Sequence, residues 1–213
     1  MPSIRSIIIF NGGSCGDFLK SVCLEQIYKQ PVHDLINNGS TIQFKNNYFK
    51  NFCESMYQES VETEIDYTKT SLIENTHFYL DYFNQLNSLL FYIDYPDSAQ
   101  SMITQCYIEK RMNSDIEKFR QHHIKYIPES IQYKINTSNI VAAFDAQNKK
   151  NLAIWRQKIQ SIPLYSLFNF DSLLPIVEKL CRQSLTNIDL LQESQKKWLD
   201  ANPRLSNYFR SSI

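Results

Sequence analysis

Glycine is scarce in this chain: only 4 of its 213 residues are Gly, and three of those four fall at positions 12, 13 and 16. Such scarcity excludes a low-complexity or collagen-like chain and concentrates backbone freedom in one place. An excess of one charge is lacking too. The 22 basic residues are matched by 22 acidic ones, so no broad pull toward nucleic acid or an anionic membrane is expected. The five cysteines (Cys15, Cys23, Cys53, Cys106, Cys181) are odd in number and form no Cys-x-x-Cys pair. That pattern argues against a disulfide framework or a zinc ribbon and for a reducing cytoplasm. Long apolar runs are also missing. One arginine precedes a four-residue apolar run, too short for a signal-peptide core, and no stretch approaches membrane-spanning length, so a soluble, cytoplasmic protein is expected.

What is abundant is aromatic: Tyr and Phe contribute 13 residues each, which is core or pocket material and rules out a disordered chain. The length suits one domain over residues 1–213 with a sizeable core. No internal repeat or linker interrupts it.

The chain is organised around residues 6–20. The run Ile7-Ile8-Ile9-Phe10 reads as a buried strand, Asn11-Gly12-Gly13-Ser14-Cys15 as a tight loop, and Gly16-Asp17-Phe18-Leu19-Lys20 as the start of a helix extending to Lys29 before Pro31. A glycine and serine loop at a helix start lets backbone N–H groups and the helix dipole converge, which suits a phosphate or sulfate. It is neither the Walker pattern nor the dinucleotide fingerprint. The alternative is a strand-to-helix turn that needs glycine only for its backbone angles.

Downstream, Asn37-Asn38-Gly39-Ser40 is a turn, Thr41–Phe44 a short strand, and Tyr48, Phe49, Phe52, Met56 and Tyr57 one face of a helix. A second strand is predicted over Ser71–Phe78, a short helix over Tyr82–Leu89, and a third strand over Leu90–Asp94. The turn at Pro96 then leads into a helix carrying Ala99, Met102, Ile103, Cys106 and Tyr107 on one face. Ser114–Glu117 reads as a capping box opening a helix to His122-His123. Ile140–Ile159 reads as one long or broken helix, Ile162–Tyr165 as a late strand, Asp171 as the cap of a helix holding Pro175 in its first turn, and Thr186–Leu199 as a last helix ended by Asn202-Pro203. Strand and helix alternate, the signature of a parallel sheet with covering helices. The fold class is therefore α/β: three αβα layers around a central parallel sheet, with a helical C-terminal half.

Taken in order, three segments resemble the P-loop sulfotransferase family. Gly13-Ser14-Cys15-Gly16-Asp17-Phe18-Leu19 resembles its phosphosulfate-binding loop, Asn75-Thr76-His77 its Lys-Thr-His motif, and Ile93 through Ser101 the turn and helix that hold the nucleotide 3'-phosphate. The run from Ile162 to Trp198 has the rhythm of bacterial members. The resemblance implies a P-loop sulfotransferase-like fold and sulfuryl transfer from 3'-phosphoadenylyl sulfate to a hydroxyl on a small-molecule or carbohydrate acceptor. It implies His77 as catalytic base and Gly12, Gly13, Ser14, Cys15, Gly16, Asp17, Phe18, Lys20 and Ser101 as the cofactor site, with no metal.

The chain departs from the family at Gly13, where the family is basic, at Asp17 for a threonine, at Asn75 for the lysine, and at Asp94 for the 3'-phosphate arginine. Two other readings stay open: a catalytically inactive binding or interaction protein of the same fold, and a nucleotide or sugar kinase holding magnesium on Asp94 or Asp97. His77 otherwise reads as a strand-end histidine bonded to backbone, Ser101 as an exposed helix serine, Cys15 as a small loop residue, and His122-His123 as a surface pair.

Overall fold

A computed structural model describes residues 4–31, 48–59, 64–109 and 137–210. The strands are β1 (Ser6–Ile9), β2 (Ile73–Thr76), β3 (Leu89–Asp94) and β4 (Gln160–Pro163), all parallel, in the order β2-β1-β3-β4. The helices are α1 (Gly16–Tyr28), α2 (Tyr48–Glu59), α3 (residues 97–109), α4 (Thr137–Lys158), α5 (Phe170–Cys181), α6 (Ile188–Asp200) and α7 (Pro203–Arg210). Short 3-10 turns occupy Tyr67–Lys69, Asp81–Gln85 and Leu164–Phe168.

The continuous Ile7-Ile8-Ile9 run is explained by its position. β1 has a neighbour on each side and is buried along its whole length, so neither face needs a polar residue. Registered partners project to the same face of a sheet. Ser6, Ile8 and Phe91 share one face, where the Ser6 hydroxyl donates to the Leu180 carbonyl of α5 at 2.7 Å and Lys179 of α5 lies over the Phe91 ring. Ile9 and Tyr92 share the other, where Trp155 of α4 meets Tyr92 at 6.4 Å between ring centroids. α1 packs with α5 and α6, and α2 packs on β2. Helices thus cover both faces, consistent with three layers.

Several boundaries differ from the sequence reading. β2 is shorter than Ser71–Phe78, because Ser71 is drawn into a turn by its N–H bond to the Glu74 carboxylate. The segment at Tyr82 is a 3-10 turn. β4 begins before Ile162 and gives way to a 3-10 turn at Leu164. α5 is capped by Asn169, whose side chain accepts from the Ser172 N–H, so Asp171 lies within the first turn and Pro175 falls in the interior. The end expected at Asn202-Pro203 is instead a junction: Pro203 opens α7, a place where its missing N–H costs nothing. The strand at Thr41–Phe44, the capping box at Ser114 and the His122-His123 pair lie outside the described residues.

Candidate functional site

The strand order reverses between β1 and β3, whose onward connections lead to opposite sides of the sheet. In open parallel sheets the crevice outside the carboxyl ends of two such strands is where ligands bind. The glycine loop leaves β1 at this place, and the turn carrying Asp94 and Asp97 leaves β3 beside it.

Close approach accounts for the glycines. Gly13 has φ +87, and a Cβ there would lie 2.8 Å from the Tyr107 side chain and 2.9 Å from the Ile103 carbonyl of α3. At Gly16 a Cβ would lie 2.3 Å from the Phe10 ring. At Gly12 a Cβ would lie 3.0 Å from the Tyr107 ring. Ser14 turns inward: its hydroxyl donates to the Asn11 carbonyl at 2.7 Å and its N–H donates to the same oxygen at 3.1 Å. Cys15 takes a left-handed conformation at the N-cap of α1, directs its thiol to the Gly13 carbonyl, and offers no side-chain cap to the helix.

The first turns of α1 carry the other expected residues. The Asp17 carboxylate, 68% exposed, takes the Lys50 ammonium at 2.6 Å and the Asn75 amide at 2.9 Å. What desolvation it suffers pushes its carboxyl up, but Lys50, the Asn75 hydrogen bond and the field of His77 outweigh this and hold it below the ordinary carboxylate value. Phe18 stacks on Trp198 at 4.2 Å, committed to the α1–α6 contact. Lys20 neither folds over the loop nor faces solvent; its ammonium pairs with the buried Glu74 carboxylate at 2.5 Å.

His77 stands just past β2, its Nδ1 2.9 Å from the Phe10 carbonyl and its ring 4.3 Å from the Phe10 ring. A carbonyl only accepts, so Nδ1 carries the proton and Nε2 is the basic nitrogen of the neutral ring. The structure therefore brings residues 12–18, Asn75 and His77 together. Ser101 is exposed on α3, while Ile103 and Tyr107 are the residues of that helix that approach the glycines.

Sequence reasoning missed four contributors. Lys50, on α2, brings a cation to the α1 terminus and lies 5.3 Å over the Phe10 ring. Arg156, on α4, bonds Asp94 at 3.0 Å, Asp97 at 3.2 Å and the Tyr95 carbonyl at 2.9 Å. The two carboxylates of the magnesium reading thus already share a guanidinium, and no group of three His, Cys, Asp or Glu suited to a metal occurs among the described residues. Asn11 donates to the Tyr95 hydroxyl at 3.1 Å and to the Asn148 carbonyl at 3.3 Å, and accepts from Asn151 at 3.0 Å. Asn148 also donates to Thr104 at 3.3 Å, so a polar seam joins β1, α3 and α4 over the strand ends. The stripe Asp145, Asn148, Leu152, Trp155 at helical spacing was the available signal, half of it polar on a face that packs inward.

Among the described residues no helix is long and apolar enough to cross a membrane. No protein-family model matches the sequence, and neither a curated protein nor a solved structure is significantly similar to it.

Proposed function

We propose that this chain is a sulfotransferase-like protein that binds a sulfated or phosphorylated nucleotide at the N-terminus of α1, with His77 as the base that deprotonates an acceptor hydroxyl. What supports the reading is one convergence at the carboxyl ends of the strands: the glycine loop, a helix N-terminus that no side chain caps, and His77, which reaches across from the end of β2 to the Phe10 carbonyl, lie together there beside the place where the strand order reverses.

The residues fit one anionic group of such a ligand. The uncapped first turn of α1 supplies donors and Lys50 supplies charge beside it. They do not fit the second phosphate of 3'-phosphoadenylyl sulfate. The β3 turn presents Asp94 and Asp97, the Arg156 guanidinium is shared between them, and Ser101 lies on the exposed side of α3. When bound, a sulfonucleotide supplies the sulfuryl group; the chain's own part is to hold negative charge at α1 and to take a proton at His77 Nε2. The Phe10 carbonyl fixes the tautomer that this requires.

A second reading, a binding protein of the same fold without transfer activity, is favoured by the carboxylates around the loop. Asp17 stands in the first turn, where a ligand's charge would sit, and both nearby lysines are already paired, Lys50 with Asp17 and Lys20 with Glu74.

The test is calorimetric binding of adenosine 3',5'-bisphosphate, adenosine 5'-phosphosulfate, ATP with magnesium, and GTP, followed by turnover assays. Binding of the adenosine sulfate or bisphosphate that weakens in Lys50→Met supports the site, and turnover lost in His77→Ala supports the base. Binding without turnover leaves the second reading, magnesium-dependent ATP binding favours a kinase, and no response to any of the four removes the nucleotide site altogether.

A further inference from the structure

The seam between α3 and α4 contains an unbalanced charge that the nucleotide reading does not use. Gln100 is 1% exposed, and its amide nitrogen donates to the Asp145 carbonyl at 2.5 Å, which leaves its Oε1 without a partner. The Asp145 side chain offers a second buried oxygen, Oδ1, that is also without a partner. No described cation pairs with this carboxylate, although polar groups of Tyr95, Thr104 and Asn148 line the same seam.

Buried acceptors are rarely left unsatisfied, because such a group loses its hydration and gains nothing in return. A single water could donate to both oxygens, but it would bring no positive charge to a half-buried carboxylate that is only partly hydrated. Hard oxygen donors with one negative charge match a small cation of one positive charge. Tyr95 adds a phenolic oxygen nearby; burial, reinforced by the Asp145 charge, keeps that phenol protonated far above its ordinary range.

We propose that this seam binds a small monovalent cation, an alkali ion or a primary ammonium group, between Gln100 Oε1 and Asp145 Oδ1. The site is independent of the nucleotide reading: its two oxygens belong to α3 and α4, and neither residue is part of the glycine loop or of α1. A cation there would tie α4 to α3 across the strand ends and make the docking of α4 dependent on salt identity, not only on ionic strength.

Thermal unfolding at constant ionic strength tests this, using ammonium, methylammonium, potassium and sodium chlorides against tetramethylammonium chloride, which is bulky and has no N–H. A saturable rise in the midpoint with one of the first four salts supports the site. Ammonium and methylammonium acting alone identify a primary ammonium; potassium or sodium acting identifies an alkali ion. In Asp145→Asn the half-saturating concentration is expected to rise about tenfold or more, as a charge-assisted contact becomes neutral. Gln100→Glu, which adds a second carboxylate, is expected to lower it, and this variant carries the test should Asp145→Asn fail to fold. Identical midpoints in all five salts, meaning an ordered water only, would overturn the proposal. So would an unchanged cation response in both variants.

Discussion

At Gly16 the side chain of any other residue collides with Phe10, since a Cβ would stand 2.3 Å from that ring. Gly16→Val is therefore expected to destabilise the fold by about 1–3 kcal/mol, the usual cost of overpacking, with Gly12→Ala milder because only the edge of the Tyr107 ring is near. Urea denaturation of the two variants checks the order. Asp17 is the position where chemistry and packing conflict: its carboxylate holds Lys50 and Asn75 but repels an incoming anion. Asp17→Ser removes the repulsion and frees Lys50, so affinity for an adenosine bisphosphate or phosphosulfate is expected to rise several-fold; calorimetry showing weaker binding would contradict the placement. The same residue has a pH signature. Its folded pKa lies below the ordinary value, so the stability it contributes is present above the unfolded pKa and is lost as pH falls through the folded one. A small acid-side loss of stability below about pH 4 should therefore be present in the native chain and absent in Asp17→Ser. Much of the loop was legible from residues 12–16, because three glycines beside an apolar run admit few local structures. Lys50 was not legible: it sits on another helix, and nothing in its own neighbours marks it as the loop's cation.

The elements were legible where burial imposed a pattern and illegible where caps decided. β1 and β3 are central strands, and their uninterrupted apolar character showed in Ile7-Ile8-Ile9 and Leu90-Phe91-Tyr92-Ile93. β4, with two exposed residues out of four, gave no such run and was placed late by two residues. The start of α5 was placed at Asp171, a good cap by residue type, whereas the side chain that accepts from the Ser172 N–H is that of Asn169. α7 was missed because Pro203 was read as a stop, although proline also opens helices. The contact of α1 with β2 contains an ionic pair that a pattern of apolar residues cannot reveal: Lys20 and Glu74, both well buried, with the second carboxylate oxygen accepting from the Ser71 N–H. Breaking a buried pair leaves one charge without compensation. Lys20→Met or Glu74→Leu alone is expected to cost about 3–5 kcal/mol, whereas the double variant Lys20→Met with Glu74→Leu should recover a large part of that loss. Chemical denaturation of the three variants gives the coupling directly, and additive losses would show that the pair does not act as a unit.

Across the molecule, the cysteines report how the layers close. Cys23 of α1 and Cys181 of α5 are fully buried against each other, with the Cys181 thiol donating to the Cys23 carbonyl at 3.4 Å. Burial pushes the Cys23 thiol well above its ordinary value, and the neighbouring Cys181 adds to this. Cys53 of α2, beneath β2, is likewise pushed up by burial to about 12. Cys15 and Cys106 are only partly buried. A thiol reacts as its thiolate and only where a reagent can reach it. In the native protein at mild alkaline pH, an aromatic disulfide reagent should therefore label Cys15 and Cys106 first, Cys106 more slowly than an ordinary thiol because burial raises its pKa. Cys23 and Cys181 lie in the layer formed by α1 and α5 on one face of the sheet, and Cys53 lies under α2 beside β2. If the domain unfolds as one cooperative unit, all three slow thiols should react with the same rate and the same dependence on urea, because each is exposed only by global opening. Should Cys53 react at lower urea than Cys23 and Cys181, α2 and the β2 edge would be a separate, weaker unit. Mass spectrometry of the labelled peptides distinguishes these outcomes, and labelling of all five thiols in the initial burst would contradict the buried layer itself.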